Sequence, residues 1–186
     1  MPFRGMPDNC IPSVSQIIDS ASGPVFREPS KEKFMTEIEL KPIAFVSSPV
    51  TEQTDENWGK IISRILLQPE YTGALSGLED FSHAIIITYL HQAKYEKEKH
   101  LQRRPRGLES MPKVGIFSQR TKDRPNPIGV TAVKIITVGD DYIEVQGLDA
   151  INGTPILDIK PYYPHYDKID LPKVPEWVNR LMEKYF

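Results

Sequence analysis

The chain has 186 residues, of which 39% are apolar and 26% charged, which fits one globular domain with a real core and leaves little room for two. No apolar run approaches the roughly 18 to 20 residues a membrane-spanning helix needs, and the single cysteine, Cys10, permits neither an internal disulfide nor a cysteine-built zinc site. The net charge of −2 hides a concentration of positive charge: eleven Lys and Arg against four Asp and Glu between Lys94 and Lys134 give that stretch an excess of +7. Such a band suits an anionic partner, with nucleic acid the leading class, although a charge run is also often a solvated loop.

In chain order, residues 1–34 read as an N-terminal extension, rich in Pro and Ser around one apolar stretch, Val14 to Ile18, that suits a short helix. The start shows no basic segment followed by an apolar stretch, so a cytoplasmic protein is expected. Residues 35–186 read as a single, mainly β domain. Short runs rich in β-branched and aromatic residues predict strands at Ile43–Ser47, Ile61–Leu67, His83–His91, Lys113–Ser118, Gly129–Val138, Tyr142–Leu148 and Ile156–Lys160. Gly139-Asp140-Asp141 predicts a hairpin in which Gly and Asp tolerate positive φ, and Asn152-Gly153 predicts a second turn of the same kind. Seventeen prolines against eleven glycines leave little room for long helices. Ala93 to His100 lacks an apolar face and is expected as a loop or exposed turn. After Pro175, Trp177, Val178, Leu181, Met182 and Tyr185 recur at helical spacing, which predicts a C-terminal helix packed on the barrel or a second subunit, with no chemistry assigned to it.

Three segments stand out chemically. In "GIFSQRTKDRPNPIG", Arg120 and Arg124 flank a polar loop, and two prolines around Asn126 stiffen it, so its donors are presented at little ordering cost. In "GLDAINGTPILDIKPYYP", Asp149, Thr154, Asp158 and Lys160 surround a Gly turn, with Asp158 and Lys160 on one strand face and able to ion-pair. "GLEDFSHAIIITYLHQ" carries His83 and His91 eight apart, a spacing that does not make a metal pair. The glycine-rich phosphate loops and the serine-hydrolase elbow are absent, so a nucleotide-like ligand would have to be held by loops of a β architecture.

These same segments, with "RPRG", resemble in order and spacing the TsaA-like or TrmO tRNA methyltransferases over roughly Ile38 to Asp167. The resemblance implies a compact antiparallel β-barrel with short flanking helices that works as a homodimer. It also implies S-adenosyl-L-methionine as cofactor, no metal, and a tRNA substrate methylated on N6 of threonylcarbamoyladenosine beside the anticodon. It places the cofactor near His91, Gln92, Arg120, Arg124, Asn126, Val130, Asp149, Asn152, Gly153 and Thr154. Asp158 and His91 are the catalytic candidates, and Arg103, Arg104, Arg106 and Lys113 the candidates for tRNA phosphates. Many relatives carry a Pro-Arg-Gln run after the first strand as a wall of the cofactor site; Asn57–Ser63 stands there instead. The competing readings are a non-catalytic RNA-binding barrel and a methyltransferase with a small-molecule or protein acceptor.

Overall fold

The computed structural model describes residues 37–186, with a compact unit from Leu40 to Phe186. The expected helix at Val14–Ile18 and the boundary at residue 35 lie outside the described residues. Among the described residues eight strands form: β1 (Ala44–Ser47), β2 (Ile62–Leu67), β3 (His83–Tyr89), β4 (Gln102–Arg103), β5 (Val114–Gly115), β6 (Ile128–Val138), β7 (Tyr142–Gln146) and β8 (Pro155–Pro161). Six of them close a barrel in the order β1-β2-β7-β6-β3-β8, with every neighbour antiparallel, while β4 and β5 pair separately.

Closure follows from the two-residue side-chain period. Along β1 and β2 buried and exposed residues alternate, and the inward set packs into one core with no open sheet edge. Ile65 sits opposite Val46 on one side and Ile143 on the other, an apolar layer spanning three strands. Ile86 holds the corresponding place on β3, fully buried between Thr131 of β6 and Ile159 of β8.

The β6–β7 hairpin forms as expected, but for a different reason at its glycine. Gly139 is not in the positive-φ region; a Cβ there would lie 2.3 Å from the Tyr142 ring, so the residue is required by close approach. At Asn152-Gly153 the positive φ is present, at 77° on Gly153. That turn does not join neighbours, however, because both edges of β7 are taken by β2 and β6. The chain must instead cross the barrel end from β7 to β8, and this crossing carries Asp149.

The expected strand Lys113–Ser118 shortens to two residues, then turns into a 3-10 helix at Ile116–Ser118 that buries Ile116 and exposes Phe117. The helices are short: α1 (Lys97–His100), α2 (Pro164–Asp167) and α3 (Glu176–Met182). α1 buries no residue and lies in the stretch expected as an exposed turn. Pro175 precedes the first residue of α3, where its missing N–H leaves no helical bond unmade.

Candidate active site

A cavity of about 920 Å³ opens at one end of the barrel, where the turn after β3, the stiff loop before β6, the β7–β8 crossing and the C-terminal segment converge. Its volume lies within the roughly 300–1,000 Å³ of small-molecule sites. Ile85, Val130, Ala132 and Ile151 give it apolar walls, and Asp149 supplies a carboxylate.

Asp149 is held from two sides. The buried Thr131 hydroxyl of β6 donates to Oδ1, and the Tyr185 phenol donates to Oδ2 at 3.0 Å. The other charged groups along the cavity are largely paired: Arg106 lies 3.4 Å from Asp55, Arg103 lies 3.6 Å from Asp123, and Lys122 bonds Asp123 at 3.0 Å. Among the described residues no Lys or Arg reaches ion-pair distance of Asp149, so the cavity retains a carboxylate that a cationic ligand group can neutralise. A half-buried anion is favoured by a cation far more than by a neutral group.

The stiff loop works largely by bracing. Gln119, 7% exposed, donates through Nε2 to the carbonyls of Arg103 and Val114, and Arg124 donates to the carbonyl of Gln119 at 2.8 Å. Pro127 accepts the Leu90 amide at 2.7 Å, tying the loop to the turn that presents His91 and Gln92. Arg120 donates to the Val130 carbonyl at the cavity wall. Burial opposes ionisation of Asp123, but the Lys94 amide and the Lys122 ammonium outweigh it and hold this carboxyl below its usual range. Its stabilisation is therefore complete at neutral pH and is lost only as pH falls through that lowered value, below about 4. Asp123→Asn is expected to lower stability by about 1–2 kcal/mol at pH 7, read by urea unfolding, with the difference from wild type shrinking in acid.

Of the residues singled out for the cofactor, His91, Gln92, Arg120, Val130, Asp149 and Thr154 line the cavity. Arg124, Asn126, Asn152 and Gly153 do not. Asn126 accepts the Ile128 amide through its carbonyl, and Asn152 accepts the Ser48 amide through its side chain at 3.1 Å, so both shape the backbone around the site. Asp158 is not brought to this cavity either. It borders a separate apolar pocket of about 450 Å³ with Ile43, Leu67 and Phe81, and forms the expected pair with Lys160 at 2.6 Å. A β-bulge between Ile87 and Thr88 lies where β3 faces this part of β8.

The phosphate candidates divide similarly. Arg103 and Arg106 line the cavity but are engaged by Asp123 and Asp55; Arg104 donates to the Met111 carbonyl; Lys113 is exposed with no side-chain partner among the described residues. Arg106 takes φ 52°, a left-handed backbone that the following Gly107 continues at 70°.

Two parts of the site were not anticipated. Gln53, Thr54, Asp55 and Trp58 form one wall, and of these only Trp58 lies within Asn57–Ser63. Asn57 adopts φ 62° and turns Trp58 inward, 3% exposed, with its indole N–H donating to Thr54 at 3.1 Å. Leu181, Met182, Tyr185 and Phe186 close another side, so the C-terminal stripe read as packing borders the ligand space. The helical spacing marks that stripe as apolar but gives no sign that the Tyr185 hydroxyl meets Asp149.

Fold and cavity together define a closed β-barrel with a loop-lined cavity. The chain belongs to the tRNA-methyltransferase O N-terminal domain family, whose model matches residues 49–168. A probable S-adenosyl-L-methionine-binding protein of Methanothermobacter thermautotrophicus is 38% identical over 137 residues, covering 72% of this chain and 96% of that protein. The human tRNA (adenine(37)-N6)-methyltransferase is 43% identical over 108 residues, 58% of this chain and 24% of that protein. The crystal structure of TrmO from Pseudomonas aeruginosa superposes with a TM-score of 0.63 at 26% identity, covering 78% of this chain and 63% of that one. This chain thus matches less than two thirds of that TrmO and about a quarter of the human enzyme.

Proposed function

We propose that this protein is an S-adenosyl-L-methionine-dependent tRNA methyltransferase whose acceptor is N6 of threonylcarbamoyladenosine beside the anticodon. The observation that carries this reading is the Asp149 carboxylate, held by two hydroxyls and left without a cation at a cavity rimmed by basic loops. Its support is the family membership and the names of the relatives above.

The bound donor supplies an electrophilic methyl group on a sulfonium. The protein's part is mostly placement. Asp149 favours the donor's positive charge, the apolar walls exclude water, and His91 and Gln92 face the same space from the end of β3. Transfer would break the sulfur–methyl bond, form the nitrogen–methyl bond and release the N6 proton, for which His91 is the proposed acceptor. A loop nucleotide already unstacked near the anticodon can enter such a cavity without disrupting a duplex. The second subunit of a homodimer would pack beside the cavity, on the exposed apolar side chains Tyr89, Ile128 and Ile136 of β3 and β6, each about two fifths exposed. A tRNA acceptor fits a cytoplasmic protein.

Titration of the purified protein with S-adenosyl-L-methionine tests the donor half, and titration with tRNA across a salt series tests the acceptor half. Lys113→Ala and Arg104→Ala are each expected to lower the slope of log affinity against log salt by about one, one counterion per lost phosphate contact. tRNA binding without any donor binding would instead support a non-catalytic RNA-binding barrel.

A further inference from the structure

The family match ends at residue 168, yet one of the two hydroxyls that hold Asp149 comes from Tyr185. The segment carrying it is fixed by the backbone: the Asn57 amide donates to the Lys184 carbonyl at 2.9 Å, and the Trp58 amide to the Tyr185 carbonyl at 2.8 Å. Gly59 allows this approach, because a Cβ there would lie 2.9 Å from the carbonyl carbon of Phe186. On the ring itself, the Arg106 guanidinium stands 5.7 Å from the centroid while pairing with Asp55. Burial, and then the neighbouring Asp149 charge, push the Tyr185 phenol well above its usual value, so it remains a donor throughout the physiological range.

We infer that Tyr185 is a positioning residue of the methyl-donor site: its hydroxyl, with that of Thr131, fixes the Asp149 carboxylate so that its free lone pairs face the donor's sulfonium. An ionised carboxylate offers about four acceptor positions, and the two hydroxyls occupy one on each oxygen. The remaining positions are thereby aimed rather than left to rotate. This role rests on the reading of the cavity as the S-adenosyl-L-methionine site. It adds that the stretch beyond the family match is a working wall of that site in this chain.

The test is a double-mutant cycle on the full chain, comparing wild type, Tyr185→Phe, Asp149→Asn and the double variant. Each is titrated calorimetrically with S-adenosyl-L-methionine and with S-adenosylhomocysteine, which lacks the sulfonium charge. Tyr185→Phe keeps the ring and the wall. It is expected to weaken the methyl donor about tenfold and the thioether homologue about threefold or less, and to have no further effect once Asp149 is Asn. A wall that merely fills space would weaken both ligands alike and independently of Asp149. If wild type binds the donor and Tyr185→Phe binds it equally well, or loses both ligands equally, the positioning role is overturned while the cofactor reading stands. If wild type binds neither ligand, the reading of the cavity fails and the role fails with it.

Discussion

Asp149→Ala is expected to lose about 2–4 kcal/mol of S-adenosyl-L-methionine affinity, a weakening of roughly thirty- to several-hundredfold. The loss has two parts. A cationic ligand group gives up a carboxylate that carries two hydroxyl donors and, among the described residues, no cation, and the Thr131 and Tyr185 hydroxyls lose the acceptor they share. Removing one partner of a partly buried charge pair leaves the other desolvated without compensation, which is why truncation exceeds the value of an exposed ion pair. The fold should survive, since Asp149 lies on a crossing segment and outside the barrel ladder. Calorimetry measures the affinity and a thermal melt the fold. Affinity within threefold of wild type, in a variant that melts normally, would contradict the assignment of Asp149.

Ile86→Ala carries the largest expected effect on stability, about 2–5 kcal/mol. Ile86 is fully buried in the middle of β3, and both ladders that β3 makes, to β6 and to β8, pass through it. The closed barrel resists relaxing inward, so the deleted methyl groups leave a cavity. Such a loss is a large share of the roughly 5–15 kcal/mol typical of a domain. It should also reach the site, because β3 ends in the turn that presents His91 and Gln92. Urea unfolding measures it; a change below about 1 kcal/mol would mean that the core repacks far more easily than its burial implies.

The strands were legible because β-branched and aromatic residues gather in short runs bounded by turn residues, and β1, β2, β3, β6, β7 and β8 all fall on such runs. Their order was not. Turn chemistry at Asn152-Gly153 marks a reversal but says nothing about which strand edges are already taken, so the crossing to β8 reads as a hairpin. At the site, local motifs located the residues whose own loops line the cavity, among them His91, Arg120, Asp149 and Thr154. Asp158 borders the second pocket and not the cavity because four residues along a strand carry it about 13 Å from Thr154. Trp58 and Tyr185 were out of reach because each depends on contacts distant in sequence, and the amphipathic spacing of Tyr185 reports only that it packs. The arginines were recognised as a charge cluster, whereas Arg103 and Arg106 are taken up by Asp123 and Asp55, partners that no linear pattern identifies.

The central claim is methyl transfer to a modified anticodon-loop adenosine. The most direct measurement incubates the purified protein with methyl-labelled S-adenosyl-L-methionine and two tRNA preparations, identical except that only one carries threonylcarbamoyladenosine, then digests the tRNA and identifies the labelled nucleoside by mass spectrometry. Label is expected on N6 of that nucleoside in the first preparation and none in the second. Label at another position, or equal label in both tRNAs, would contradict the acceptor, and no label in either from a protein that binds both donor and tRNA would contradict the activity.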